Sequence, residues 1–206
     1  MKRACAKAAL ELVPDHGIIG LGGGETIGYL SEYIKEQGKD IKVVTPSENT
    51  RKICENLGLC VLQTEDVDEV EIAFDGCDQV DKALNAYKSG GGIHTKEKII
   101  ARMSKEYVLL VDETKVTDKL NTKVPIVLEI VKEAIRYVTG QAEKLGAQVK
   151  KRDEHLLELY FEKIDDLKAL DEDLKKITGV IETSLFYQVA DKALVAGEDG
   201  IKVMER

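Results

Sequence analysis

The chain has 206 residues, a formal net charge of −8, and 43% hydrophobic against 33% charged residues, the make-up of an ordinary globular chain rather than a disordered or fibrous one. The acidic balance disfavours nonspecific attraction to nucleic acid or to an anionic membrane surface. With no Trp and only 5% aromatics, no stacking platform for single-stranded nucleic acid is expected either.

In chain order, residues 2–13 have the pattern of a short amphipathic helix. Residues 17–21 form a short apolar run, followed by Gly22, Gly23 and Gly24 and a polar helix starting near Glu25, so strand, glycine turn and helix are expected. A strand at 41–45 leads into a helix at Pro46-Ser47-Glu48, with Ser47 as its cap. Strands are expected at 60–62, 70–74 and 107–111, with a second glycine loop, Ser89 to Gly92, opening a helix through Lys98–Ile100. Strands alternating with helices predict a doubly wound, mostly parallel, Rossmann-like α/β sheet. After residue 124 the pattern changes to a helix ending near Lys144, strands at 146–150 and 156–161, a helix at 165–176 and a strand near Val180. That order predicts a second, smaller α+β unit at 125–190, and the two strands at 193–203 are expected to return to the first unit, 1–124.

Cys5, Cys54, Cys60 and Cys77 include no CxxC pair and have no His at ligand spacing. They read as reduced thiols of a cytoplasmic protein, with no metal site. The N-terminus lacks the apolar core of a signal peptide, because Lys7, Glu11 and Asp15 interrupt it. No run approaches the ~18–20 apolar residues of a membrane span.

Three segments carry candidate chemistry. The turn Gly22-Gly23-Gly24-Glu25-Thr26 sits where a first strand meets a helix, so its N–H groups suit an anion or sugar phosphate, a nucleotide, or only a tight turn. Glu25 occupies the position where a dinucleotide fingerprint needs glycine, and its carboxylate repels phosphate unless it points away. Asp75 and Asp78, separated by Gly76 and Cys77, follow a strand and read either as paired acid–base groups or as a turn. Glu97 lies in the first turn of the helix after Lys88-Ser89-Gly90-Gly91-Gly92, where the helix dipole favours its anion. Helix first turns also favour acidic residues for structural reasons alone. His94 reads as a packing or surface residue, and Lys115, just beyond a strand, reads as a crevice lysine or a surface one.

The order Gly20–Thr26, Phe74–Asp81, Lys88–Gly92, Lys96–Ala101, Val111–Lys115 and Gly179–Glu182 resembles that of the ribose-5-phosphate isomerase type A family, over nearly the whole chain. The resemblance implies an aldose–ketose isomerase of the pentose phosphate pathway, interconverting ribose 5-phosphate and ribulose 5-phosphate through a cis-enediolate. It implies Glu97 as proton carrier, Lys88 as oxyanion-stabilising cation, Asp75 in ring opening and hydroxyl proton transfer, and Asp78 as hydroxyl binder. Lys2, Lys115 and the loops Gly22–Thr26 and Gly90–Gly92 would bind a sugar phosphate. It implies no cofactor and a homodimer or homotetramer. A paralogue isomerising another sugar and a non-catalytic sugar-phosphate sensor are the alternatives. The family's usual Gly-x-Gly-Thr-Gly-Ser-Thr loop carries Gly23 and Glu25 here in place of its Thr and Ser. Gln79 stands where Glu is usual, Ser89 replaces a glycine, and Ile93-His94 replace a small–apolar pair.

Overall fold

The computed structural model describes residues 1–206. In chain order, α1 (Lys2–Leu10), β1 (His16–Leu21), α2 (Glu25–Gln37), β2 (Asp40–Val44), α3 (Glu48–Asn56) and β3 (Cys60–Val61) come first. β4 (Ile72–Asp75), β5 (Gln79–Asp81), β6 (Ala86–Tyr87), α4 (His94–Met103), β7 (Tyr107–Asp112) and β8 (Val116–Thr117) follow. The rest is β9 (Ile126–Ile130), α5 (Ile135–Lys144), β10 (Gln148–Lys151), β11 (Leu156–Tyr160), α6 (Leu167–Lys175), β12 (Val180–Thr183), β13 (Leu185–Phe186), β14 (Lys192–Gly197) and β15 (Gly200–Glu205).

Seven strands form one sheet in the order β15-β14-β7-β4-β1-β2-β3, parallel except for β15. Its strands alternate faces as the pleat requires. Phe74, Val108 and Leu110 pack with Ile27, Leu30 and Ile34 of α2 on one side, while Ala73, Leu109 and Val111 pack with Ile100 of α4 on the other. Fully burying side chains of this size stabilises by ~1.5–3 kcal/mol each. The chain runs from β1 to β2 on one side of β1 and places β4 on the other. This is a switch point, and in open α/β sheets ligand crevices form there, beyond the carboxyl ends of the strands.

A second, antiparallel sheet, β10-β11-β9-β12, buries Ile126, Leu128, Leu157 and Leu159 against Val138 of α5 and Leu174 of α6. A third sheet, β13-β6-β5-β8, is built from strands of two or three residues. Runs so short show no alternation, so the sequence pattern does not predict them. The buried Lys98 of α4 donates to the carbonyls of Thr183 (2.7 Å) and Leu185 (2.9 Å), tying α4 to β12 and β13. Helix and strand ends fall within a few residues of expectation. The first helix stops at Leu10 instead of continuing to 13, because the chain turns at Glu11–Val13.

Candidate active site

Asp75 ends β4 beside the glycine turn that follows β1. Its Oδ1 accepts from the N–H of Gly76 (2.8 Å) and of Gly23 (3.2 Å). Gly22 is required here, because a Cβ at that position would overlap the Asp75 carboxylate. Gly24, with φ of 97°, turns the chain into α2 in a region that L side chains avoid. The other Asp75 oxygen, Oδ2, lies 3.0 Å from Lys88 Nζ and accepts from the Tyr107 hydroxyl at 3.4 Å.

Lys88 enters from the loop after β6. Its Nζ also donates to the Gly76 carbonyl (2.6 Å) and lies 3.3 Å from Glu97 Oε1. The side chains of Lys88, Asp75 and Glu97 are 5%, 4% and 8% exposed, so these charges interact through protein rather than water. Burial, then the Asp75 carboxylate, raises the Glu97 carboxyl to about 7 against the pull of Lys88. Burial disfavours the Lys88 ammonium, but Asp75 and Glu97 outweigh it and hold the lysine charged. Asp78 Oδ2 accepts from the N–H groups of Ser89 (2.6 Å) and Gly90 (2.9 Å). Lys115 donates to the Cys77 carbonyl at 2.9 Å.

A cavity of about 440 Å³ opens over this cluster. Of the residues singled out in the sequence, Gly23, Gly24, Asp75, Asp78, Lys88, Gly91, Glu97 and Lys115 line it. Gly22 lies behind Asp75, Gly90 behind Asp78, and Gly92 lines a separate depression with Glu129 and His155. Thr26 is outside the lining. So are Lys2 and Glu25, which pair with each other at 2.5 Å, while Glu25 also accepts from the Tyr29 hydroxyl at 2.7 Å. The first-turn carboxylate therefore points away from the cavity. His94 is fully buried, 3.2 Å from the Glu182 carbonyl, and burial lowers its pKa to about 4, so it packs as a neutral ring.

Sequence reasoning missed Ser47 and Tyr107. Ser47 caps α3 as expected, its Oγ accepting from Thr50 N–H at 3.2 Å, but it also lines the cavity opposite Gly23. Its place just past the carboxyl end of β2, next to β1, was the available signal. Tyr107 lies at the amino end of a strand and nothing in the sequence marks it.

A carboxylate poised near neutrality beside a fixed ammonium can move a proton next to a carbonyl and stabilise the resulting oxyanion. No group of three or more His, Cys, Asp or Glu side chains is arranged to hold a metal ion, and no helix is long and apolar enough to cross a membrane. The family model described as ribose 5-phosphate isomerase A (phosphoriboisomerase A) matches residues 42–200. The ribose-5-phosphate isomerase A of Streptococcus pneumoniae (strain Hungary19A-6) is 34% identical over 220 residues, covering 99% of this chain and 96% of the relative. The crystal structure of ribose 5 phosphate isomerase A from Neisseria gonorrhoeae superposes with a TM-score of 0.93 at 30% identity, covering 99% of this chain and 95% of that one. A D-ribose-5-phosphate isomerase solved in complex with phospho-erythronic acid superposes with a TM-score of 0.91 at 30% identity, covering 100% and 97%. With a family model matched over most of its length, and sequence and fold in agreement with these relatives over 99% of it, the chain belongs to the ribose 5-phosphate isomerase A family.

Proposed function

We propose that this chain interconverts D-ribose 5-phosphate and D-ribulose 5-phosphate through a cis-enediolate, with Glu97 as the base. The observation that carries this reading is the contact of Glu97 Oε1 with Lys88 Nζ, 3.3 Å apart on the lining of the cavity. Glu97 takes the proton from C2 of the open aldose, and the electron pair moves through C1 to O1. Lys88 stabilises the oxyanion formed there. The proton returns at C1, and the hydroxyl proton passes from O2 to O1 with Asp75 as carrier. Asp75 also serves ring opening, and Asp78 binds the sugar hydroxyls. These steps run on a carboxylate and a fixed ammonium and call for no cofactor.

The phosphate end is assigned to the Gly22–Thr26 turn through Gly23 and Gly24, with Gly91 of the Gly90–Gly92 loop and Lys115 completing the lining. Thr26 and Gly92 lie off it, and Lys2, paired with Glu25 outside the cavity, reaches a phosphate only when that pair opens. A relative solved with phospho-erythronic acid, a phosphorylated sugar acid, supports a sugar phosphate as ligand. In this reading residues 1–124 and 191–206 form the catalytic unit, 125–190 the smaller one, and the protein works in the cytoplasm as a homodimer or homotetramer. The test is ketose formation from ribose 5-phosphate by the purified chain and by Glu97→Gln. A parent chain without turnover sinks the proposed reaction, while an unimpaired Glu97→Gln sinks only the assigned base.

A further inference from the structure

The loop that carries Lys88 is also held from the second sheet. Arg152, directly after β10, donates from Nη1 to the carbonyls of Ser89 (2.8 Å) and Gly90 (3.3 Å). Its Nε and Nη2 are fixed, each 2.8 Å from Glu158 Oε1 on β11. On the other edge of the loop, Asp78 takes the N–H groups of Ser89 and Gly90. The peptide joining Ser89 to Gly90 thus has its carbonyl held by Arg152 and its N–H held by Asp78. The Ser89 side chain adds a third anchor, donating to the Pro125 carbonyl at 2.5 Å and lying 2.9 Å from the Ser184 hydroxyl.

The carbonyl and N–H of a trans peptide point in opposite directions. With the Gly90 carbonyl turned to Arg152, the Gly91 N–H faces the opposite way, towards the Asp78 side of the loop. Gly91 lines the cavity, and its N–H has no acceptor within the protein. We propose that Arg152 is a positioning residue for the isomerisation, reaching from the second sheet to fix the Ser89–Gly91 backbone so that the Gly91 N–H is presented to a substrate oxygen. This rests on the isomerase reading. A guanidinium suits the task because its fixed fork bonds two carbonyls and a carboxylate at once, which a lysine ammonium on a flexible stem does not reproduce.

The test compares kcat and KM for ribose 5-phosphate isomerisation, alongside thermal midpoints, in the parent, Arg152→Ala and Arg152→Lys. Misplacement of a binding group by about 1 Å costs on the order of 10²-fold. Arg152→Ala is therefore expected to lose roughly 10- to 100-fold in kcat/KM, and Arg152→Lys to retain part of that. The side chain is 27% exposed, so millimolar guanidinium should reach the vacated space and restore part of the Arg152→Ala rate, which it would not do for a general loss of stability. A folded Arg152→Ala with kcat/KM within twofold of an active parent overturns the inference and leaves the isomerase reading standing. So does a loss that neither lysine nor guanidinium repairs. Should Arg152→Ala not fold, Arg152→Lys decides alone, with a several-fold loss expected and an unchanged kcat/KM overturning the inference. A parent without turnover overturns the isomerase reading itself.

Discussion

Lys88 and Glu97 meet with 3.3 Å between Nζ and Oε1, and the same ammonium lies 3.0 Å from Asp75. One buried cation therefore serves two buried carboxylates, so the trio carries a net negative charge out of water when both acids are ionised. This is why the Glu97 proton is held to near neutral pH.

The pH dependence of the reaction follows. Glu97 must be an anion to take a proton, and its carboxyl is raised to about 7. On the acid side kcat/KM should fall about tenfold per pH unit below that value and level off above it. A profile from pH 5 to 9 with ribose 5-phosphate checks this. A flat rate down to pH 5.5 would remove Glu97 from the role of base.

Stability should respond in the opposite sense. Because folding raises the Glu97 value from 4.5 to about 7, the folded chain holds more protons than the unfolded one across that window. The stabilising contribution is complete below the lower value and is lost as pH rises through the upper one. Glu97→Gln does not titrate, so its melting temperature should gain on the parent between pH 4.5 and 7 and keep a constant lead above. Parallel melting temperatures across that range would contradict the assigned shift.

Lys88→Met should be worse than the loss of either acid. It leaves Asp75 and Glu97 buried without their shared counter-charge, a change that costs ~3–5 kcal/mol when one partner of a buried pair is removed. The kcat should fall by about 10²–10³ if the ammonium stabilises the oxyanion. The acid limb of any residual activity should also move to higher pH, since the cation no longer opposes the rise of Glu97. Denaturant titration and the rate profile read the two effects separately.

Glu25 offers a test outside the cavity, at the start of α2. Its carboxylate neutralises Lys2 at the mouth of α2, where a phosphate would favour positive charge. Glu25→Ser frees that lysine and should lower KM for ribose 5-phosphate several-fold with little change in kcat. An unchanged KM would put the Lys2–Glu25 pair out of reach of the phosphate.

Much of this architecture is legible in the sequence because it rests on local signals. The glycine turn before Glu25, the Ser47 cap and the apolar runs of β1, β4 and β7 all announce themselves within a few residues. Family resemblance joined Asp75, Asp78, Lys88 and Glu97 into one set, since taken singly each has an ordinary structural reading. The remainder is long-range. Arg152 lies 63 positions from Ser89 and Tyr107 lies 32 from Asp75, so no pattern within a strand or turn reveals either contact. The four short strands of the third sheet escape for the complementary reason, having too few residues to show a period. The direction of the Glu25 side chain depends on Lys2 and Tyr29, and so on how α1 packs beside α2.

The contact between Gly22 and Asp75 carries a consequence for descent. The carboxylate occupies the space that a side chain at position 22 would fill, so the two positions are locked together during divergence. Any lineage that places a larger residue at 22 must first shorten or move the acid at 75, and with it the ammonium of Lys88. With Asp75 and Lys88 acting as proposed, the shortest route through sequence space crosses an inactive intermediate. Positions 23 and 25 carry no such toll, since a Cβ at 23 meets only Ser47 at 3.7 Å and Glu25 is exposed, and divergence within this family is expected to collect there while the Gly22–Asp75 pair stays fixed.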